Sequence, residues 1–157
     1  MAGTPELAEI PVLAGARVLL VEAAYHPRIT ALLREGAMRV LRRAKVEVDH
    51  RLVPGALEIP IAIAMAVRTT RYEACVAIGC VIRGETIHFD LVAGESCRGL
   101  VELGIRHALP IGNGILTVDN EHQALQRADP AGEDKGGFAA LAALRLLELR
   151  RSLGAPS

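Results

Sequence analysis

The chain has 157 residues, of which 51% are hydrophobic and only 3% aromatic, so it is long enough for one domain with an aliphatic core. Its 18 basic residues balance 18 acidic ones, which excludes a bulk positive field for nucleic acid or an anionic membrane surface. No run of about 18 apolar residues and no signal peptide occurs, so we expect a cytoplasmic protein that does not span a membrane.

Three cysteines occur, and no two of them form a Cys-x-x-Cys pair. Two lie in an apolar run, and the odd number leaves one without a disulfide partner. We therefore interpret Cys75, Cys80 and Cys97 as reduced thiols, two of them in the core, rather than as metal ligands or disulfides. The sequence also shows no His, Cys, Asp and Glu cluster with the spacing of a metal site.

The first third of the chain predicts an arm, two strands and one long helix. Residues 1–15 show little periodicity and indicate an extended N-terminal arm. Its apolar residues could pack on the sheet edge of another subunit: Ile10, Val12 and Leu13. The run from Arg17 to Ala23 predicts a buried strand, and an apolar helical stripe continues from Pro27 to Ala44. Residues 46–53 alternate in polarity, which is typical of a strand near a sheet edge.

The rest of the chain continues the alternation of strands and helices. Ile61 to Val67 follow a Pro-Gly turn, with Pro60 in the first helical turn, and predict a helix that needs burial on two sides because it is apolar nearly all round. Residues 75–82 form an apolar run typical of a strand buried on both faces. The remaining predicted elements are a helix from His88 to Pro110, a strand over residues 111–118, a short helix over residues 121–128 capped by Asp119 or Asn120, a loop over 129–137 and a last helix over 138–153.

The order of these elements is β-α-β-α-β-α-β-α-α, with buried central strands. Right-handed crossovers then give an α/β fold, namely a flavodoxin-like three-layer sandwich with a central four-stranded parallel sheet flanked by helices. We find no repeat or linker and expect a single domain over residues 1–157. Two helical segments, 61–67 and 139–144, are apolar nearly all round and carry more apolar surface than one domain can cover, which predicts an obligate oligomer.

The stretch from Ala74 to Asp90 predicts the functional site. A buried strand leads through the Gly84 turn into a helix, and open α/β sheets bind ligands at the carboxyl ends of strands. The start of a helix offers free N–H groups and the positive end of its dipole to an anion. Thr86 adds a hydroxyl, and His88 adds an imidazole suited to proton transfer near neutral pH. The pattern predicts an enzyme with a phosphorylated small-molecule substrate.

Several side chains have both a functional and a structural interpretation. Tyr25 could stack on a planar ligand or form a half-buried rim, and Glu58 could face a ligand or cap a helix. Asn113 opens the backbone to a ligand or eases packing between two glycines. Arg127 is either a bidentate phosphate clamp or a surface cation near a helix end. His88 itself could be a helix-start histidine without a task. Because neither a GxGxxG pattern nor a P-loop occurs, dinucleotides and nucleoside triphosphates are not indicated.

Three segments together resemble the 6,7-dimethyl-8-ribityllumazine synthase family: residues 53–60 (VPGALEIP), 79–90 (GCVIRGETIHFD) and 112–121 (GNGILTVDNE). Arg127 and the DKGG run over 134–137 continue the match, and the alphaproteobacterial branch looks closest. The resemblance implies the penultimate step of riboflavin biosynthesis. In that step 5-amino-6-(D-ribitylamino)uracil condenses with 3,4-dihydroxy-2-butanone 4-phosphate, and phosphate and water are released. The resemblance implies neither a metal nor an organic cofactor.

The same resemblance implies a role for single residues. Tyr25 would stack on the pyrimidine ring, His88 would be the proton shuttle, and Glu85 with Thr86 would hold the phosphate at the helix start. Six residues would line the pocket for the ring and the ribityl chain: Ala56, Leu57, Glu58, Cys80, Val81 and Ile82. Asn113 and Arg127 would come from the adjacent subunit of a homopentamer, with Arg127 gripping phosphate. Some family members stack pentamers into decamers or sixty-subunit shells.

The chain departs from the usual residues of the family at several of these positions. Ala24 stands where many members have Arg, His26 where Asn is usual, Leu57 where Phe is common and Asn113 where an aromatic is frequent. The substitutions at positions 24, 57 and 113 leave open a non-catalytic relative that binds lumazine or flavin or forms shells. A flavodoxin-like carrier is a further alternative, which the phosphate-site pattern disfavours. The loop over 128–137 indicates no particular assembly.

Overall fold

A computed structural model describes residues 9–154 of the chain. Residues 1–8 of the predicted N-terminal arm, and residues 155–157, lie outside that range. The elements in chain order are β1 (Arg17–Ala23), α1 (Pro27–Arg43), β2 (Glu47–Val53), α2 (Glu58–Val67), β3 (Ala74–Ile82), α3 (His88–His107), β4 (Ile111–Val118), α4 (Glu121–Ala128) and α5 (Lys135–Ser152). The predicted order of strands and helices is confirmed.

The four strands form one parallel sheet in the order β2-β1-β3-β4. Helices α1, α4 and α5 cover one face, and α2 and α3 cover the other. The α/β, flavodoxin-like three-layer arrangement is therefore as predicted. The strand β3 lies between two neighbours and is buried along most of its length, whereas β2 lies at the edge and is largely exposed. Both positions follow from the apolar run in β3 and the alternation in β2.

The core is aliphatic, as the composition requires. Its largest fully buried side chains include Leu20, Ile78 and Leu144, and Phe89 is the one aromatic ring among the buried hydrophobic residues that the structure describes. Each fully buried Leu or Ile side chain contributes roughly 1.5–3 kcal/mol through removal of apolar area from water. Gly112 permits the closest contact of this core, because a Cβ there would overlap the backbone of Ala139 in α5.

The arm packs on its own subunit where the structure describes it. Leu13 is buried, Ile10 packs against the same core, and the Leu13 N–H donates to the Ala44 carbonyl oxygen at 2.9 Å. The interpretation that both residues cover another subunit is therefore wrong for this part of the arm. Of the three apolar residues singled out in the arm (Ile10, Val12 and Leu13), only Val12 is exposed.

The last helix begins at Lys135, three residues earlier than predicted. Asp134 caps it with φ of 49°, and the carboxylate Oδ1 accepts from the Gly137 N–H at 3.2 Å. The same buried carboxylate accepts from Arg39 of α1 at 2.7 Å. Two consecutive glycines favour a loop in sequence, but here Gly136 lets α5 approach the backbone of α1, since a Cβ would overlap Leu33. Tertiary packing thus overrides local propensity.

The prediction that the first half of α5 needs a partner subunit is wrong, because most of its apolar residues are buried within the chain itself. Helices α2 and α3 do show more apolar surface than the described residues cover. Ile59 and Ile63 of α2 are buried against the sheet, but Ile61 and Met65 on its other side are exposed. The α3 side chains Val101 and Ile105 are exposed as well, the latter by 78%. Burial of α2 on two sides was the expectation from sequence, and within residues 9–154 only one side is covered.

Candidate active site

A cavity of about 380 Å³ opens at the carboxyl ends of β1, β2 and β3. Parallel strands all end at this edge of the sheet, which is where ligands of such folds bind. Eight of the predicted site residues line the cavity: Tyr25, Ala56, Leu57, Glu58, Cys80, Val81, Ile82 and His88. Gly55, Val92 and His26 complete the lining. Three separate segments of the sequence are thus brought to one place by the parallel topology.

The segment after β1 supplies an aromatic ring and a second imidazole. Tyr25 is largely exposed, with 67% of its surface accessible, so one face of the ring is open to a ligand. His26 has φ of 56°, and its carbonyl oxygen accepts from the Ile29 and Thr30 N–H groups at the start of α1. Histidine adopts this left-handed conformation more readily than most non-glycine residues, and four other described residues share it away from the cavity: Lys45, Thr70, Ala108 and Asp134. The sequence reasoning missed His26, although its place between the aromatic residue and the helix-starting Pro27 was a usable signal.

The turn between β2 and α2 brings a carboxylate next to the tyrosine ring. A Cβ on Gly55 would lie 3.1 Å from Glu58 Oε2 and 3.4 Å from the Tyr25 ring, so both groups flank this glycine. The Gly55 carbonyl oxygen accepts from the Glu58 N–H at 3.2 Å, which closes the turn. Glu58 is the first residue of α2, where the helix dipole favours a negative charge. The site therefore combines a planar apolar surface with a hydrogen-bond acceptor.

The wall opposite is the end of β3, which is apolar. Burial raises the pKa of the Cys80 thiol to about 11 and that of Cys75 to about 12. Both thiols are therefore protonated near neutral pH and poor nucleophiles. Cys80 contributes a small apolar surface to the cavity, together with Val81 and Ile82. The interpretation of both residues as reduced core thiols is confirmed.

His88 is the first residue of α3 and lines the cavity. Its backbone N–H donates to the Thr86 hydroxyl oxygen at 3.2 Å, which fixes the turn before the helix. Glu85 and Thr86 are exposed. In sequence they lie between the lining residues Ile82 and His88, but they do not line the cavity themselves. The positive end of the α3 dipole lies at this helix start, beside the cavity. An imidazole and an anion-attracting helix end are thus adjacent, as predicted.

Asn113 and Arg127 do not reach this cavity within the described chain. Asn113 lies on β4 at a separate groove of about 460 Å³ between α3 and α5, and its amide donates to Cys97 Sγ at 3.4 Å. The Arg127 Nη1 donates to the Gln123 carbonyl oxygen at 3.1 Å on α4. Among residues 9–154 no arginine or lysine lines the cavity. Within the described residues, the cavity of one chain therefore has two imidazoles and a carboxylate but no arginine or lysine for a phosphate.

Two further properties of residues 9–154 bear on the class of protein. None of the described helices combines the length and the apolar character needed to cross a bilayer. In the same range, no three His, Cys, Asp or Glu side chains converge as metal ligands do. The fold, the cavity at the strand ends, and the imidazole beside a helix start define an α/β enzyme that acts on a small molecule.

Comparison with known proteins narrows this class to one family. The model of the 6,7-dimethyl-8-ribityllumazine synthase family matches residues 15–151. The chain is 55% identical over 148 residues to the 6,7-dimethyl-8-ribityllumazine synthase of Xanthobacter autotrophicus, which covers 91% of this chain and 90% of the relative. It is 53% identical to the enzyme of that name from Methylobacterium radiotolerans, with 90% and 86% covered, and 54% identical to that of Azorhizobium caulinodans, with 87% and 88% covered.

The chain belongs to the 6,7-dimethyl-8-ribityllumazine synthase family, whose members are transferases of riboflavin biosynthesis. The resemblance inferred from the three sequence segments is confirmed, including its alphaproteobacterial character.

Proposed function

We propose that this chain catalyses the condensation of 5-amino-6-(D-ribitylamino)uracil with 3,4-dihydroxy-2-butanone 4-phosphate in the cytoplasm, and that residues 1–157 act as one catalytic domain. The observation that carries the proposal is the cavity in which His88, Tyr25 and Glu58 meet at the strand ends, in a chain of this family. The open ring of Tyr25 suits a planar heterocycle, and the Glu58 carboxylate suits hydroxyl donors of a ribityl chain.

The remaining residues of the site have roles in holding the ring, the ribityl chain and the phosphate. Ala56 and Leu57 contribute to one wall for the ring and the ribityl chain. Cys80, Val81 and Ile82 form the other, where uncharged side chains add contact area without competing for protons. Glu85 and Thr86 hold the phosphate through groups at the start of α3. A helix start with free N–H groups attracts such an anion.

The chemistry requires mainly proximity, orientation and proton transfer. The amine of the uracil attacks the ketone of the phosphorylated butanone, and water leaves as the imine forms. Phosphate is then eliminated, and attack of the ribityl-bearing nitrogen on the remaining carbonyl closes the ring with loss of a second water to give the lumazine. His88 moves protons during these steps, since an imidazole can both accept and donate a proton near neutral pH. Holding two reactants in one cavity replaces a bimolecular encounter in solution.

A complete site requires a second subunit. Within the described residues, the cavity has no arginine or lysine of its own, while Arg127 and Asn113 lie at other surfaces of the chain. Exposed apolar residues on α2 and α3, such as Met65 and Ile105, are suited to burial between subunits. We propose a homopentamer as the basic unit, in which Arg127 and Asn113 complete the neighbour's site. Decamers and sixty-subunit shells are both compatible with this unit.

The direct test is to mix the purified protein with both substrates and follow lumazine absorbance. Turnover above the uncatalysed condensation is the expected result, and tight binding of the uracil without turnover would instead identify a non-catalytic relative. His88→Ala should slow turnover on the order of a hundredfold or more while the fold is retained. Arg127→Ala should raise KM for the phosphorylated substrate more than for the uracil. Light scattering should give a mass of five subunits or a multiple of five.

A further inference from the structure

Arg83 connects three segments around the start of α3. Its Nε donates to Asp119 Oδ1 at 3.0 Å, just after β4. Its Nη1 lies 3.7 Å from Asp90 Oδ1, and its guanidinium lies 4.3 Å from the centroid of the Phe89 ring. The Arg83 N–H also donates to the Val118 carbonyl oxygen at 2.9 Å. One side chain thus joins the first turn of α3 to the end of β4.

The first turn of α3 has few other restraints. Ile87 occupies the N-cap position and makes no side-chain hydrogen bond to the helix, so the first N–H groups lack the usual capping partner. The His88 N–H bonds to Thr86, but that contact is local and anchors the turn to nothing beyond the loop. Contacts to Phe89 and Asp90, which follow His88 directly, therefore determine how this turn sits on the sheet.

The geometry suits a planar, forked side chain. The guanidinium stacks on the buried Phe89 ring and keeps its edges for Asp119 and Asp90. An ammonium group can neither stack in this way nor bond two carboxylates with a fixed angle between them. A single exposed ion pair would restrain little, but a network of two carboxylates and a ring restrains more.

We propose that Arg83 is a positioning residue that holds the first turn of α3, and with it the imidazole of His88, toward the cavity. This inference rests on the proposed function of His88. Arg83 itself does not line the cavity, so it acts through the neighbouring turn and not on the substrate. Loss of orientation at a reacting group slows a reaction far more than it weakens binding.

A double-mutant cycle on the full-length enzyme tests this. Arg83→Ala should lower kcat on the order of tenfold with KM for either substrate changed less than about twofold, as expected when orientation is lost. In a His88→Ala background the same change should lower kcat by less than about twofold, because the group that Arg83 orients is gone. Arg83→Lys should lower kcat less than Arg83→Ala does, but it should not restore the kcat of the unaltered enzyme. Arg17→Ala is the matched control, since it removes an exposed 3.2 Å pair with Glu47 at the opposite edge of the sheet and should leave kcat unchanged.

The outcomes separate this inference from the proposed function. An equal loss in both backgrounds, an unchanged kcat, or a selective rise in KM for the phosphorylated substrate would each overturn the positioning role of Arg83 alone. A His88→Ala enzyme with full turnover would overturn both. Should Arg83→Ala fail to fold, Asp119→Asn weakens the same network from its other side. It should show a smaller loss of kcat that again disappears without His88.

Discussion

The substitution Arg34→Ala is predicted to destabilise the fold through a carboxylate that it leaves behind. Glu22 of β1 is buried, and both of its oxygens lie 2.8 Å from Arg34 Nη1 on α1. Its other partners are weaker: His50 Nε2 at 3.3 Å and the Thr30 hydroxyl at 3.5 Å. Without Arg34 the charge keeps only these two contacts.

The magnitude follows from the burial of the two groups. Removing one partner of a fully buried ion pair costs about 3–5 kcal/mol. The Glu22 side chain is 6% exposed but that of Arg34 is 39% exposed, so water already weakens the pair and the expected loss is about 2–3 kcal/mol. Urea unfolding followed by far-UV circular dichroism measures this loss. All variants are compared at one protein concentration, because any association of subunits adds to the apparent free energy of unfolding.

Two further variants test whether the buried carboxylate of Glu22 depends on Arg34. Arg17→Ala removes a pair whose two side chains are largely exposed, so its loss should be at most about 1 kcal/mol. Adding Glu22→Leu to Arg34→Ala should restore most of the lost stability, since no buried charge is then left unpaired. A loss below about 0.5 kcal/mol for Arg34→Ala, the size of an ordinary surface substitution, would show that the buried carboxylate does not depend on Arg34.

Three other predictions concern a buried thiol, a closely packed glycine and a helix-capping aspartate. Burial raises the pKa of the Cys80 thiol to about 11 and leaves little thiolate at pH 8, so a maleimide should label Cys80 only after unfolding. Mass spectrometry of the labelled peptides checks this. Gly112→Ala should cost about 1–3 kcal/mol or prevent folding, because its Cβ would overlap Ala139. Asp134→Ala removes the α5 cap and the Arg39 partner and should cost about 2 kcal/mol in urea unfolding.

The controls for these predictions lie in the same chain. A Cβ on Gly94 of α3 would meet no atom within 4 Å, so Gly94→Ala should leave the free energy of unfolding unchanged or raise it by about 1 kcal/mol through helix propensity. Labelling of Cys80 in the folded protein, or a Gly112→Ala protein as stable as the Gly94→Ala one, would contradict the packing described above.

Most of the fold could be predicted because its signals are local. The unbroken apolar run of β3 and the alternation of β2 give their places in the sheet, and the Gly84 turn marks where α3 begins. The start of α5 could not be predicted in this way. Its cap at Asp134 depends on Arg39, which is 95 residues away in sequence, and its glycines serve a contact with α1 that only the folded chain contains.

The candidate site, like the fold, could be predicted from the sequence only in part. Residues that follow strand ends, such as Tyr25, Glu58 and His88, were predictable because parallel strands end together. His26 was not recognised, since its role in the lining depends on a left-handed backbone that sequence alone does not display. The family pattern assigned Asn113 and Arg127 to a neighbouring subunit, and both lie away from the cavity of their own chain.

The exposed strand β2 has a consequence for how copies of the chain meet. It pairs with β1 on one side, and no described residue pairs with it on the other. The unpaired N–H and carbonyl groups of an exposed edge strand can hydrogen-bond to a strand of another chain, which leads to aggregation. Glu47, Asp49 and Arg51 place a charged side chain at every second position there, and Asp49 is further held by Arg51 and Tyr72. Charged side chains along an edge strand disfavour pairing with another strand, so aggregation through this edge of the sheet is discouraged.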